Sequence, residues 1–214
     1  MRNSEEDADL VDMDSVFANL AKVPVGTGFA LVYYTDGFPH FLTTKVVSSH
    51  PFILEADQNV SGRLAVGQKV LIVHQNETDF SKANAEIATA QNNRVTLSNV
   101  NWDNIDRRRY PRHEVAIHVS IRSIVDDVTG TRFQTFEGVT TDLSLGGTWV
   151  DSPAPVAAGS LVQIEADLSS QEKIRLLGIV AWANQNRPGF GIEFLDFVGG
   201  ARYYLHEFLS RAAA

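Results

Sequence analysis

The chain has 214 residues, a formal net charge of -8 and no cysteine. The absence of thiols excludes disulfides and thiolate metal sites, and the net negative charge disfavours binding to a long polyanion such as DNA or RNA. Because the sequence has no run of about 18 apolar residues and an acidic N-terminus, we expect no membrane-spanning helix, no secretory signal and a cytoplasmic location.

The first part of the chain is predicted to form a disordered segment and one small barrel. Residues 1–15 carry six acidic side chains and one arginine, which is typical of disorder. A short helix capped by Asp14 or Ser15 is predicted to reach Lys22. Short apolar stretches between turn residues then predict a β-barrel over residues 16–100. Its predicted strands are 29–34, 41–47, 52–55, 69–74, 86–90 and 94–100.

A linker is predicted over residues 101–112, which are polar, rich in arginine and closed by Pro111. The second domain is predicted over residues 113–214. Its first strand alternates from Glu114, with Val115, Ile117, Val119 and Ile121 on the inner face. After a turn at 126–130, further strands are predicted at 133–141, 148–151, 161–166, 174–182 and 190–194.

The tail over residues 201–213 has helical spacing of its apolar side chains and predicts an amphipathic helix closing one end of the second barrel. The apolar side chains are Tyr204, Leu205, Phe208 and Leu209. The predicted fold class is therefore all-β, with two small β-barrels in tandem and one C-terminal α-helix.

Two segments have the chemistry of a binding site. In the first, Arg107–Arg112, closely spaced guanidiniums are suited to bidentate recognition of phosphate and of the O6/N7 edge of guanine. Taken alone, a solvated basic linker explains this cluster better.

The second segment contains Asp142, Ser144, Gly146 and Gly147. On an extended strand Asp142 and Ser144 face the same way, so the carboxylate can accept from guanine N–H groups while the hydroxyl donates to the ligand. Gly146 and Gly147 lack a Cβ, which would let a flat ligand approach the backbone. A hairpin turn with local Asp and Ser caps is the alternative interpretation.

In order and spacing, Arg108-x-x-x-Arg112 followed by Asp142-x-Ser144-x-x-Gly147 resembles the PilZ domain family, over residues 106–213. The strand at 189–194 is similar to the family's Gly-x-Gly-x-x-Phe strand. The resemblance implies a six-stranded barrel that binds cyclic di-GMP. It also implies that Arg108 and Arg112 bind guanine and phosphate, and that the second motif lines the barrel surface. The first barrel resembles the accessory barrel of flagellar-brake (YcgR-like) proteins.

Three further residues have two readings each. Arg107 is either a surface arginine or a third ligand contact that would suit a pair of intercalated ligands. Trp182, predicted on the face of Val180, either packs in the core or stacks on a purine. Gly178 marks either a close approach or a bulge.

No catalytic group, cofactor or metal site is predicted, because the six histidines lack ligand spacing and no nucleophile–base set is visible. The predicted function is a cyclic di-GMP receptor, not an enzyme. Ligand would draw a mobile arginine linker onto Asp142 and Ser144, change the arrangement of the barrels and signal to a protein partner of unknown identity. The alternatives are a constitutive adaptor and, against the net charge, a nucleic-acid-binding barrel; a homodimer is compatible with the sequence.

Overall fold

The structure is a computed structural model that describes residues 23–75, 80–103, 110–127, 130–170, 172–183 and 188–212. The predicted disordered segment 1–15 and the predicted helix to Lys22 lie outside these residues. The chain divides into two compact units, Met1–Asn104 and Ile105–Ala214. Each unit contains a closed barrel of six strands, so the predicted all-β class with two barrels is confirmed.

The first barrel has the strand order β1-β2-β3-β6-β5-β4, and every neighbouring pair is antiparallel. Its strands are β1 Gly28–Thr35, β2 Phe38–Ser49, β3 Phe52–Ala56, β4 Lys69–Gln75, β5 Phe80–Gln91 and β6 Arg94–Asp103. All six predicted strands are present. The start of β5 was missed because its inward side chains, Ala83 and Ala85, are small residues that are depleted in strands, yet both are buried.

The hairpin between β1 and β2 is tighter than predicted. Only Asp36 and Gly37 form the turn, and both have positive φ, 52° and 77°. Two such residues make a connection whose twist matches that of the flanking strands. Phe38 and Pro39, which lie between the predicted strands 29–34 and 41–47, pair with β1 as part of β2.

The second barrel has the strand order β10-β11-β12-β9-β8-β7 and is followed by the predicted helix. Its elements are β7 His118–Asp127, β8 Gly130–Leu143, β9 Gly147–Asp151, β10 Leu161–Asp167, β11 Lys173–Ala183, β12 Phe190–Phe197 and α1 Ala201–Ala212. The predicted alternation is confirmed, since Ile117, Val119 and Ile121 are buried. β7 nevertheless begins four residues after Glu114, because the backbone N–H of Ile117 donates to the side-chain hydroxyl of Thr140 on β8 instead of to a backbone carbonyl of that strand.

Helix α1 packs Ala201, Leu205 and Leu209 against the second barrel. These three residues repeat every four positions and form one stripe along the helix. Tyr204 was predicted to share this face, but it is 45% exposed, because it lies one position off the stripe. Within the described part of the chain, no helix is both long and apolar enough to cross a bilayer.

Candidate functional site

The residues before β7 form an arm, Tyr110–Ile117, that lies against the end of β8. The backbone of His113 donates to Leu143 over 3.0 Å and accepts from it over 2.9 Å. Further along the arm, Thr140 on β8 accepts from the N–H of Ile117 and donates to the carbonyl of Val115. These bonds fix the path of the arm and direct Arg112 towards Asp142.

Arg112 and Asp142, thirty positions apart in sequence, form an ion pair. The Nη1 of Arg112 lies 3.1 Å from Oδ1 and 3.2 Å from Oδ2 of Asp142. Oδ1 also accepts from the backbone N–H of Trp149 over 3.1 Å, which holds the carboxylate in place. The structure therefore joins two of the predicted binding residues, one from each motif.

This ion pair is easily redirected because its side chains are 57% and 28% exposed. A pair with such access to solvent contributes about 0.2–1 kcal/mol. A charge-assisted hydrogen bond to a ligand contributes about 1.5–3 kcal/mol. An anionic ligand can therefore compete with Asp142 for the guanidinium of Arg112.

Ser144 has a different environment from the one predicted. β8 ends at Leu143 and the chain turns, so Ser144 does not share an extended strand face with Asp142. Its side chain is buried, and its hydroxyl donates to the carbonyl of Gly147 over 3.0 Å. The same oxygen accepts from the N–H groups of Gly146 and Gly147. The local-cap alternative describes this hydroxyl.

The two glycines of the turn are surrounded by protein atoms. A Cβ on Gly147 would collide with the backbone oxygen of Ile192 on β12. A Cβ on Gly146 would lie 3.1 Å from the ring of Tyr110. The absence of a side chain at Gly147 is thus explained by close packing against β12, and at Gly146 by packing of the Tyr110 ring. The sequence had suggested that both glycines let a ligand approach the backbone.

Trp182 lies on the surface because of a β-bulge. Val180 pairs with Ile192 and Trp182 pairs with Gly191, so β11 has one residue more than β12 between these pairs. The extra residue interrupts the alternation: Val180 is fully buried, while Trp182 is 53% exposed. The prediction that the two share a face, and with it the core-packing alternative, is wrong.

The exposed indole of Trp182 is held between another tryptophan and a glycine. Its ring centroid lies 4.5 Å from that of Trp149, with the ring planes 46° apart. A Cβ on Gly191 would lie 2.9 Å from Nε1 of Trp182, so only glycine lets the indole approach the strand this closely. Gly178 has both of its proposed features, since it lies at a register shift and a Cβ there would meet Ile192 at 2.5 Å.

These side chains enclose a depression of about 150 Å³ on the second barrel. It is lined by Arg112, Ser144, Gly146, Thr148, Trp149, Ala181, Trp182, Gly191, Ile192 and Glu193. Complete small-molecule sites span about 300–1,000 Å³, so this depression suits one part of a larger ligand. Sequence reasoning missed Trp149, Gly191 and Glu193, because an alternating strand pattern does not show which outward side chains surround a common space.

Two predicted binding residues, Arg107 and Arg108, lie outside the described residues. Among the residues that the structure does describe, no group of three or more His, Cys, Asp or Glu side chains is arranged to hold a metal ion. The depression is lined by one cation, Arg112, by one carboxylate, that of Glu193 on β12, and by the indoles of Trp149 and Trp182. Such a set can bind an anion and stack on a flat ring.

Comparison with known proteins identifies the second barrel. Residues 106–210 match the family model described as PilZ domain. The chain is similar to the Bacillus subtilis inhibitor of motility MotI/DgrA, with 15% identity, 89% of this chain and 98% of that chain covered, and a TM-score of 0.38. It is also similar to Escherichia coli YcgR, solved in complex with c-di-GMP, with 16% identity, coverage of 92% and 90%, and a TM-score of 0.38.

A third similar structure is the PilZ domain of CeSA from a cellulose-synthesizing bacterium, with 24% identity and a TM-score of 0.35. This match covers 49% of the present chain and 99% of the CeSA domain. No curated protein matches the sequence.

Proposed function

The chain carries a PilZ domain over residues 106–210, and from this premise we propose that it is a receptor for cyclic di-GMP, not an enzyme. PilZ homologues are receptors or effectors of this dinucleotide and are in general binding proteins. The observation that carries the proposal is the meeting of Arg112 with Asp142 beside a depression that contains the exposed Trp182.

The depression binds one guanine and an adjoining phosphate. The indole of Trp182 stacks on the purine, which contributes about 1–3 kcal/mol. Arg112 turns from Asp142 to the phosphate or to the O6/N7 edge of guanine. Arg108 adds a second guanidinium, and Arg107 a third if two ligands bind together. Micromolar affinity needs about 8 kcal/mol, which several charge-assisted bonds and one stacked base supply.

Asp142, Ser144, Gly146 and Gly147 have supporting roles in this site. Asp142 holds Arg112 at the rim when ligand is absent, and it accepts from guanine N–H groups once Arg112 has moved. The Ser144 hydroxyl shapes the turn through its bonds to the two glycines. This turn provides the surface against which the ring of Tyr110 packs, and through Tyr110 it supports the arm.

Signalling follows from a change in the arrangement of the two domains when Arg112 moves from Asp142 to the ligand. The first of these domains, residues 16–100, is an accessory barrel of the YcgR-like type. The signal passes to a downstream protein in the bacterial cytoplasm.

Isothermal titration calorimetry of the full chain with cyclic di-GMP tests this function, with GTP as the ligand control. We expect wild-type binding and a loss of at least tenfold for Arg112→Ala. Arg94→Ala on the first barrel is the matched control, because Arg94 is 65% exposed and also pairs with a carboxylate, that of Glu55. No binding by the wild type, or equal losses for both variants, contradicts the assignment.

One observation favours a second function, that of a constitutive adaptor. Arg112, Asp142 and Ser144 all have partners within the barrel, so the site is held together by protein contacts alone. An adaptor of this kind needs no nucleotide to present its surface. A thermal-shift titration separates the two functions, since a receptor gains stability with ligand concentration and an adaptor does not.

A further inference from the structure

We infer that Arg202, on helix α1, is a positioning residue for the nucleotide-binding arm and couples the helix to the site. Its Nη2 donates to the hydroxyl of Tyr110 over 3.0 Å. Its guanidinium also lies 6.0 Å from the centroid of the Tyr110 ring and 5.5 Å from that of Phe197. This inference rests on the proposed function, because the arm matters for ligand binding only if Arg112 binds the ligand.

Tyr110 is well placed to transmit this contact to the site. It lies two residues before Arg112, and its ring packs on Gly146 in the turn that lines the depression. Arg202 holds the tyrosine from the other end, through its hydroxyl. Among the described residues, loss of Arg202 therefore leaves Tyr110 with the contact between its ring and Gly146.

The location of Arg202 in the helix supports a role outside the helix itself. It is the second residue of α1, where a positive charge meets the positive end of the helix dipole. No acidic residue lies in this first turn to compensate. The cation therefore does not stabilise the helix, and its contacts with Tyr110 and Phe197 offset the unfavourable position.

Coupling of this kind is reciprocal. If the docked arm binds the dinucleotide more tightly, bound dinucleotide also strengthens the contact between the arm and α1. The first turn of α1 thus becomes the element of the second barrel that registers whether the site is occupied. Ligand binding should slow amide hydrogen exchange in this turn.

The test uses the full chain with Arg202→Gln and Tyr110→Phe, and Arg211→Gln as the control. Arg211 lies at the other end of the same helix, where it pairs with Glu172. We expect the affinity for cyclic di-GMP to fall about threefold to tenfold in Arg202→Gln, about twofold to fivefold in Tyr110→Phe, and not in the control. The double variant should bind no more weakly than Arg202→Gln, because the two substitutions remove the same hydrogen bond between Arg202 and Tyr110.

Amide exchange at His113, measured without nucleotide, supplies a readout that is independent of ligand. This N–H bonds to Leu143, so it exchanges faster in Arg202→Gln if the arm is less firmly docked. Wild-type binding combined with unchanged affinity and unchanged exchange in both variants overturns the inference. Absence of wild-type binding rejects the proposed function instead, and exchange at His113 still decides whether Arg202 holds the arm. If Arg202→Gln does not fold, Tyr110→Phe decides the outcome.

Discussion

Replacement of Gly147 by alanine separates a packing role of this glycine from a ligand-binding role. The added Cβ would collide with the backbone oxygen of Ile192 and lie 3.3 Å from the Cα of Glu193. Both atoms belong to the main chain of β12, so neither can rotate away. The variant must therefore separate β9 from β12, where Thr148 pairs with Ile192.

The expected net loss is about 2 kcal/mol in the free energy of unfolding of the second barrel, from the upper end of the overpacking cost less the gain from stiffening the unfolded chain. Overpacking of a well-packed interior costs about 1–3 kcal/mol, and here backbone must move. Stiffening of the unfolded chain by alanine returns only about 0.4–1 kcal/mol. Gly146→Ala is the matched control: its Cβ meets the ring of Tyr110, a side chain that can shift, so we expect a loss below about 1 kcal/mol.

Urea-dependent hydrogen exchange, followed by mass spectrometry of peptides from each barrel, measures this loss. A chain with two domains has no single two-state transition, so the barrels must be followed separately. The first barrel serves as the internal reference and should not change. If Gly147→Ala leaves the second barrel as stable as the wild type but abolishes nucleotide binding, the packing explanation is refuted.

Three further outcomes are expected. Trp182→Ala should weaken cyclic di-GMP binding about tenfold in calorimetry, with little effect on the melting temperature because the side chain is 53% exposed, and equal affinity would contradict stacking. Thr140→Val leaves the N–H of Ile117 without its acceptor and should lower the unfolding free energy of the second barrel by about 1–3 kcal/mol in the same exchange experiment, whereas Thr140→Ser keeps the hydroxyl and should lose less, only the contribution of its buried methyl group. The hydrogen bond from Lys45 lowers the pKa of Glu55 below its usual value of 4.5, so this pair stabilises the first barrel above that pH and the effect is lost as pH falls through the lowered pKa. Glu55→Gln should therefore flatten the acid side of the pH–stability curve, and an unchanged curve would contradict the ion pair.

Regular alternation made most of the fold predictable from the sequence. The face of Ile117, Val119 and Ile121 is fixed by the two-residue period of a strand, and one buried side is enough to specify it. The start of β5 was not predictable, because Ala83 and Ala85 have no strand preference and are buried only by the barrel around them.

The composition of the site was easier to predict than its geometry. The resemblance of the two motifs to the PilZ family indicated that Arg112 and Asp142 belong to a common site, and the two side chains meet. The position of Trp182 depends on the bulge between Val180 and Trp182 in β11, and no residue type at those positions marks it; Gly178 marks only the earlier register shift. The bond between Tyr110 and Arg202 joins residues 92 positions apart, which local patterns do not connect.

A nuclear Overhauser experiment on the full chain with cyclic di-GMP locates the nucleotide most directly. If the guanine stacks in the depression, its H8 proton should show cross-peaks to the indole protons of Trp182. Saturating ligand that gives cross-peaks elsewhere on the protein, and none to Trp182, would show that the dinucleotide binds away from Arg112 and Asp142.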